Sequence, residues 1–169
     1  MKKVKLIFVF ILLLLFLTNC GSRTDYLASF SVYERIEPEY ERSYYAAIRD
    51  QRADYLFDTL YPDDEIEVIT NGDFYGRNLD ISELRSKEDY VSTYQNKYFP
   101  DFVINEVELI DISISNPSED VYIYQAEVIK TFLEVPSNLD NDYVLEYDVE
   151  FEILKEDGVF YIARIEKTN

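Results

Sequence analysis

The stretch Tyr143-Val144-Leu145-Glu146-Tyr147-Asp148-Val149-Glu150-Phe151-Glu152-Ile153 decides the fold. Tyr143, Leu145, Tyr147, Val149, Phe151 and Ile153 alternate with Asp142, Glu146, Asp148, Glu150 and Glu152, with Val144 the one apolar intruder. Side chains in a strand point alternately to opposite faces, so this period of two predicts one buried face and one acidic, wet face. Asp157-Gly158 follows as a two-residue hairpin signal, and Val159 to Ile165 returns as the next strand. Upstream, Val121 to Val135 and Phe102 to Ser115 are rich in Val and Ile, with Asn116-Pro117-Ser118 as a turn between them and Pro136 to Asp142 as a loop.

Before Pro100 the pattern is helical. Tyr40, Tyr44, Ala47, Ile48, Tyr55, Leu56 and Leu60 fall at roughly helical spacing, with a break predicted near Asp50 to Ala53. Pro38 suits a first helical turn, and Glu39 and Glu41 suit its positive end. Pro62 and Asp63-Asp64-Glu65 close the segment. Tyr26 to Ile36 is helical or irregular. Ile66 to Ile69 reads as a short strand ended by Asn71-Gly72-Asp73, and Gly76 to Arg85 as a loop or weak helical turn. Ser86-Lys87-Glu88-Asp89 resembles a capping box ahead of a helix carrying Tyr90, Val91, Tyr94 and Tyr98 on one face. Helices followed by long antiparallel strands predict an α+β fold with about four strands.

The amino terminus is built differently. Lys2, Lys3 and Lys5 precede twelve unbroken apolar residues, Leu6 to Leu17. A spanning helix needs roughly 17–25 such residues and a signal-peptide core about 7–15, so this leader reads as an export signal. Leu17-Thr18-Asn19-Cys20 resembles a lipobox, with Asn19 departing from the Gly, Ala or Ser usual before the cysteine. The resemblance implies cleavage after residue 19 and a diacylglycerol on Cys20. Two or more acyl chains anchor a protein stably, so the chain is expected in the cell envelope, outside the cytoplasm. In a host with two membranes Gly21 favours the outer one; in a host with one, the expected place is the outer face of the cell membrane. The expected organisation is a signal peptide over 1–19, a lipidated cysteine and tether or short helix over 20–38, and one domain over 39–169.

Composition narrows function. The chain carries 16 basic and 34 acidic residues, net −18. Without Lys2, Lys3 and Lys5 the 13 remaining basic residues face 34 acids, near −21. Such a charge repels nucleic acid and favours a cationic protein or peptide partner. There is no histidine and Cys20 is the only cysteine, which excludes Ser-His-Asp and Cys-His systems, dithiol redox chemistry and the usual structural zinc sites. Carboxylate, Tyr, Lys and Arg chemistry remain. Asn138, Asp140 and Asp142 alternate as in a hard-cation loop, but Tyr143 stands where such a loop needs Gly, so no metal is expected.

Ser43-Tyr44-Tyr45-Ala46-Ala47-Ile48, Asp54, and Leu56 to Asp64 together resemble the opening of the NTF2-like (cystatin-like cone) superfamily. Phe74-Tyr75-Gly76-Arg77 resembles the segment leading to its third helix, and Glu156 to Ile162 its final hairpin. The resemblance covers residues 39–167. It implies a sheet wrapped around a pocket and a homodimer through the sheet, but no single function. Pocket-facing candidates are Tyr45, Tyr94, Tyr98, Tyr124 and Tyr147, and Asp111 is the candidate inward acid. With no histidine and the acids of the clean strand facing outward, a non-catalytic binding module without cofactor is expected. One alternative is a small isomerase- or dehydratase-like enzyme using a pocket carboxylate and Tyr. Another is a surface protein that neutralises a basic toxin or lytic enzyme.

Overall fold

A computed structural model describes residues 22–62 and 65–169. The leader, Cys20 and the Asp63-Asp64 pair lie outside them. The chain divides into two units, Met1–Ser31 and Val32–Asn169. In the described part of the first, helical backbone begins at Ser22, and Ser31 Oγ donates to the Leu27 carbonyl at 3.1 Å. The sheet and the cavity belong to the second.

Helix α1 (Ser22–Ile36) ends ahead of Pro38, and α2 (Tyr44–Arg49) and α3 (Ala53–Thr59) follow. Ser43 rather than Pro38 starts α2: its hydroxyl accepts from the Ala46 amide at 3.1 Å, satisfying one of the orphan amides of the first turn. The predicted break at Asp50 to Ala53 is present, with Gln51 in the left-handed region (φ 57). Ser86 caps α4 (Lys87–Thr93) as its sequence predicts, accepting from the Asp89 amide at 3.1 Å. A π-helical turn, Tyr94–Tyr98, then extends the helix, and the Phe99 amide reaches back to the Tyr94 carbonyl at 2.8 Å.

The sheet corrects the expected four strands to six, and antiparallel to mixed. Strands β1 (Glu65–Phe74), β2 (Arg77–Ser86), β3 (Val103–Ser118), β4 (Val121–Glu134), β5 (Val144–Glu156) and β6 (Val159–Thr168) lie in the order β2-β1-β6-β5-β4-β3. β1 runs parallel to β6; the other neighbouring pairs are antiparallel. The first two strands form a hairpin turning at Tyr75-Gly76, both at positive φ (54 and 71), so Asn71-Gly72-Asp73 sits inside β1. Gly72 serves an approach instead, because a Cβ there would meet the Asn169 carbonyl oxygen at 2.3 Å. Asn116-Pro117-Ser118 is likewise the end of β3; the turn is Glu119-Asp120.

β5 follows its alternation. Leu145, Tyr147, Val149, Phe151 and Ile153 are buried, while Glu146 and Asp148 are exposed. Phe151 is the centre of the packing, its ring 5.0 Å from Tyr44, 6.0 Å from Tyr45 and 6.1 Å from Tyr124. Burying a side chain of this size stabilises the fold by about 1.5–3 kcal/mol. Among the described residues no helix is long and apolar enough to cross a membrane.

Candidate functional site

A cavity of about 570 Å³ opens between β1, β2, the helical turn of Tyr90 to Tyr98, and the β4–β5 loop. Each wall has a sequence cause. The β1–β2 hairpin projects Val68, Thr70, Leu79 and Ile81 inward at period two. α4 and the π turn set Tyr90, Tyr94 and Tyr98 on one side, since residues four apart share a helix face. Tyr75 and Phe102 close the aromatic wall, with ring centroids 4.7 Å apart and Tyr75 also 4.7 Å from Tyr98.

The lining's charge runs against that of the chain. Arg77, Arg85, Lys97 and Lys167 face it, with Asp101 the acid among the described lining residues. Asp101 is exposed, and no Asp or Glu among the described residues is buried. Asp111, the expected inward acid, is exposed and lies at a break in the β3–β4 register with φ 51, which turns it out. The carboxylate on this cavity's lining is thus the exposed Asp101, and no buried one joins it among the described residues. Asp140 and Asp142 are exposed too, and no group of three or more His, Cys, Asp or Glu among the described residues could hold a metal ion.

Three lysines are buried instead, Lys87, Lys130 and Lys167, and the last two meet the tyrosine cluster. Lys167 is 8% exposed and Lys130 1%. Lys167 Nζ donates to the Tyr44 and Tyr94 hydroxyls, each at 3.0 Å, and lies 3.5 Å from Tyr90. The Tyr44 and Tyr90 hydroxyls share a 2.5 Å hydrogen bond. Lys130 Nζ sits over the rings of Tyr45 (5.3 Å) and Tyr147 (5.2 Å), with the Tyr75 hydroxyl at 3.5 Å. Ring faces attract a cation, but weakly beside water or a carboxylate. Burial accordingly drives the Lys130 amine down to about 7, against some support from Tyr94.

Tyr94 goes the other way from its neighbours. Burial alone pushes its phenol up; the charges of Lys167 and Lys130, with hydrogen bonds from Lys167 and Tyr44, outweigh it and bring Tyr94 to about 7. Burial and surrounding phenols hold Tyr44, Tyr75, Tyr90 and Tyr147 well above the ordinary tyrosine range. Tyr45 is raised by burial as well. One phenol among this cluster is thus set apart as the readily ionised one.

The structure brings Tyr94 and Tyr98 to the cavity. Tyr45, Tyr147 and Tyr124, expected there, line none of it. Tyr45 and Tyr147 lie behind Lys130, their hydroxyls 3.3 Å apart. Tyr124 is buried against Tyr33, ring edge to face at 6.2 Å, and its hydroxyl has no hydrogen-bond partner among the described atoms.

Sequence reasoning missed Tyr44, Tyr90, Lys130 and Lys167. Lys130 was findable: it occupies the apolar register Tyr122, Tyr124, Ala126, Val128 of β4. Lys167 was not, because a bulge decides it. Glu152 pairs with Arg164 but Ile153 with Ile162, so Ala163 is an extra residue in β6. The bulge flips parity, turning Ile165 and Lys167 inward and Arg164 and Glu166 outward.

No family model and no curated protein matches the sequence. Solved structures do match. An NTF2-like protein of unknown function from Shewanella oneidensis is 13% identical with a TM-score of 0.53, over 73% of this chain and 88% of that one. A candidate scytalone dehydratase from Novosphingobium aromaticivorans is 15% identical with a TM-score of 0.63, over 86% of each chain. A protein of unknown function from Mycobacterium tuberculosis is 10% identical with a TM-score of 0.65, over 87% of this chain and 74% of that one. At these identities the likeness speaks to architecture alone, and with the mixed six-stranded sheet and its cavity it makes this an NTF2-like α+β fold.

Proposed function

We propose that this chain is an exported lipoprotein, tethered in the cell envelope through a lipid on Cys20, whose NTF2-like domain holds a small anionic molecule in its cavity. One observation carries the ligand reading. In a chain of net −18, four cationic side chains converge on a pocket of about 570 Å³. That volume lies within the roughly 300–1,000 Å³ usual for small-molecule sites. Anions repelled by the acidic surface would meet cationic side chains in this cavity.

Native mass spectrometry of the domain purified from its host tests the ligand reading. A small anion should travel with the wild type and be lost in Lys167→Met. No added mass, with no thermal stabilisation by any of a series of organic carboxylates, would contradict it. Palmitate labelling and fractionation test the tether: Cys20→Ala should lose the label and leave the membrane fraction.

The outer sheet face favours a second reading. Asp111, Glu127, Asp148, Glu150 and Glu166 line one shallow depression there. A homodimer through that face would set acid against acid, so the face suits a basic protein better than a second copy. Binding to such a protein that does not weaken with salt would count against this reading.

A further inference from the structure

The inner end of the cavity has a chemistry more specific than positive charge. An ammonium has three protons to donate; Lys167 directs two to Tyr44 and Tyr94 at 3.0 Å and the third to Tyr90 at 3.5 Å. Tyr44 is fully buried, lines no part of the cavity, and shares its hydroxyl with Tyr90. Tyr94 does line the cavity. Its oxygen accepts from Lys167, and the neighbouring Tyr44 oxygen is 3.4 Å away, beyond the roughly 2.5–3.0 Å of a good O–H···O bond. That long contact leaves the Tyr94 hydroxyl able to turn toward whatever occupies the cavity. The mouth carries a second positive pole, since Arg77 and Lys97 are exposed where they line it. Tyr75 and Tyr98, their ring centroids 4.7 Å apart, line the same cavity. Aromatic rings and cationic groups on one cavity suit a planar molecule that carries oxygens.

We propose that the cavity binds a small aromatic acid, its carboxylate toward Arg77 and Lys97, its ring along Tyr75 and Tyr98, and its phenolic oxygen sharing a proton with Tyr94 against Lys167. This rests on the reading of the cavity as a ligand site and names the ligand's class. Tyr94 touches the ligand; Lys167 touches the Tyr94 oxygen and holds it in place. A phenol ordinarily ionises near 10, and Tyr94, set between Lys167, Lys130, Tyr44 and Tyr90, does so near 7. One proton can then lie between ligand and Tyr94 with a single negative charge beside the Lys167 ammonium, the arrangement in which hydrogen bonds are short and strong. No bond other than O–H is made or broken.

The test uses 4-hydroxybenzoate and benzoate, which differ only in the phenolic hydroxyl, titrated by calorimetry into wild type, Tyr94→Phe and Lys167→Met. The wild type should bind 4-hydroxybenzoate about tenfold or more tightly than benzoate, the worth of one hydrogen bond to a charged group. Tyr94→Phe should erase that preference, so that the two probes bind alike. Lys167→Met should raise the pH at which Tyr94 ionises, a readout that mere loss of packing would not move; near-ultraviolet dichroism confirms that each variant is folded. Equal binding of the two probes, or a preference that survives Tyr94→Phe, overturns the inference and leaves the cavity reading standing. Binding of neither probe overturns the inference as well; a retained small anion of another class in native mass spectrometry would show that the cavity reading survives it.

Discussion

The two faces of the sheet divide the charge of this chain between them. The outer face carries Glu146 and Asp148 in water, and Arg164 among Glu67 (3.1 Å), Glu150 (2.9 Å) and Glu166. The inner face carries Phe151, Tyr147, Lys130 and Lys167, with no buried carboxylate among the described residues. The chain is strongly acidic, yet its buried charge-bearing groups are basic. On the outer face water screens each charge, so each pair matters little. On the inner face nothing screens the lysines, so phenol oxygens and ring faces must serve, and one phenol is driven toward ionisation.

That contrast sets the sizes of mutational effects. Phe151→Ala, at the centre of the inner face, should lower stability by about 3–5 kcal/mol in urea unfolding. Loss under 1 kcal/mol would mean the core is not organised around this ring.

Lys130→Met should come next and with the opposite sign at low pH. The folded-state value of about 7 lies below the ordinary 10.5, so the folded protein binds fewer protons than the unfolded chain between those values. The penalty of burying the charged amine is complete below pH 7 and gone above about 10.5. Lys130→Met should therefore stabilise the domain by on the order of 1–3 kcal/mol at pH 6 and little at pH 10. Destabilisation at pH 6 would show that the ring faces hold the ammonium well.

The wild type's own pH dependence follows. Tyr94, lowered from 10.0 to about 7, contributes stability that is full above pH 10 and lost as pH falls through 7. Lys130 works in the same direction, each proton contributing up to about 1.4 kcal/mol per pH unit. Above pH 10 the sign reverses, because Tyr44, Tyr45, Tyr90 and Tyr147 ionise more easily unfolded than folded. The urea midpoint should rise from pH 7 to 9 and fall above 10. Smallest of all, Glu146→Gln on the outer face should change stability by less than about 0.5 kcal/mol. A larger change would place that face in contact with something.

How much of this was legible depends on parity. β5 declares both faces because its alternation is unbroken over Leu145 to Ile153, and β4 declares Lys130 by the same rule. β2 hid because Arg77–Ser86 is an edge strand, mostly exposed and without Val, Phe or Tyr; only Leu79 and Ile81 mark its inward side. Asn71-Gly72-Asp73 misled because Gly72 answers to the close approach of Asn169 rather than to a turn. Lys167 depends on one extra residue in β6, which no alternation rule registers. The aromatic helix face was legible in Tyr90, Tyr94 and Tyr98; that Tyr94 would meet a buried ammonium at 3.0 Å on the cavity wall was not.

The central claim is that Tyr94 is an ionisable phenol held by Lys167 at the inner end of the cavity. Ultraviolet titration of tyrosinate in the folded domain tests it most directly. The account requires one tyrosine ionising near pH 7, absent in Tyr94→Phe, with the other buried tyrosines silent until well above pH 10. A wild type with no tyrosinate below pH 9, or a curve that Tyr94→Phe leaves unchanged, would contradict it.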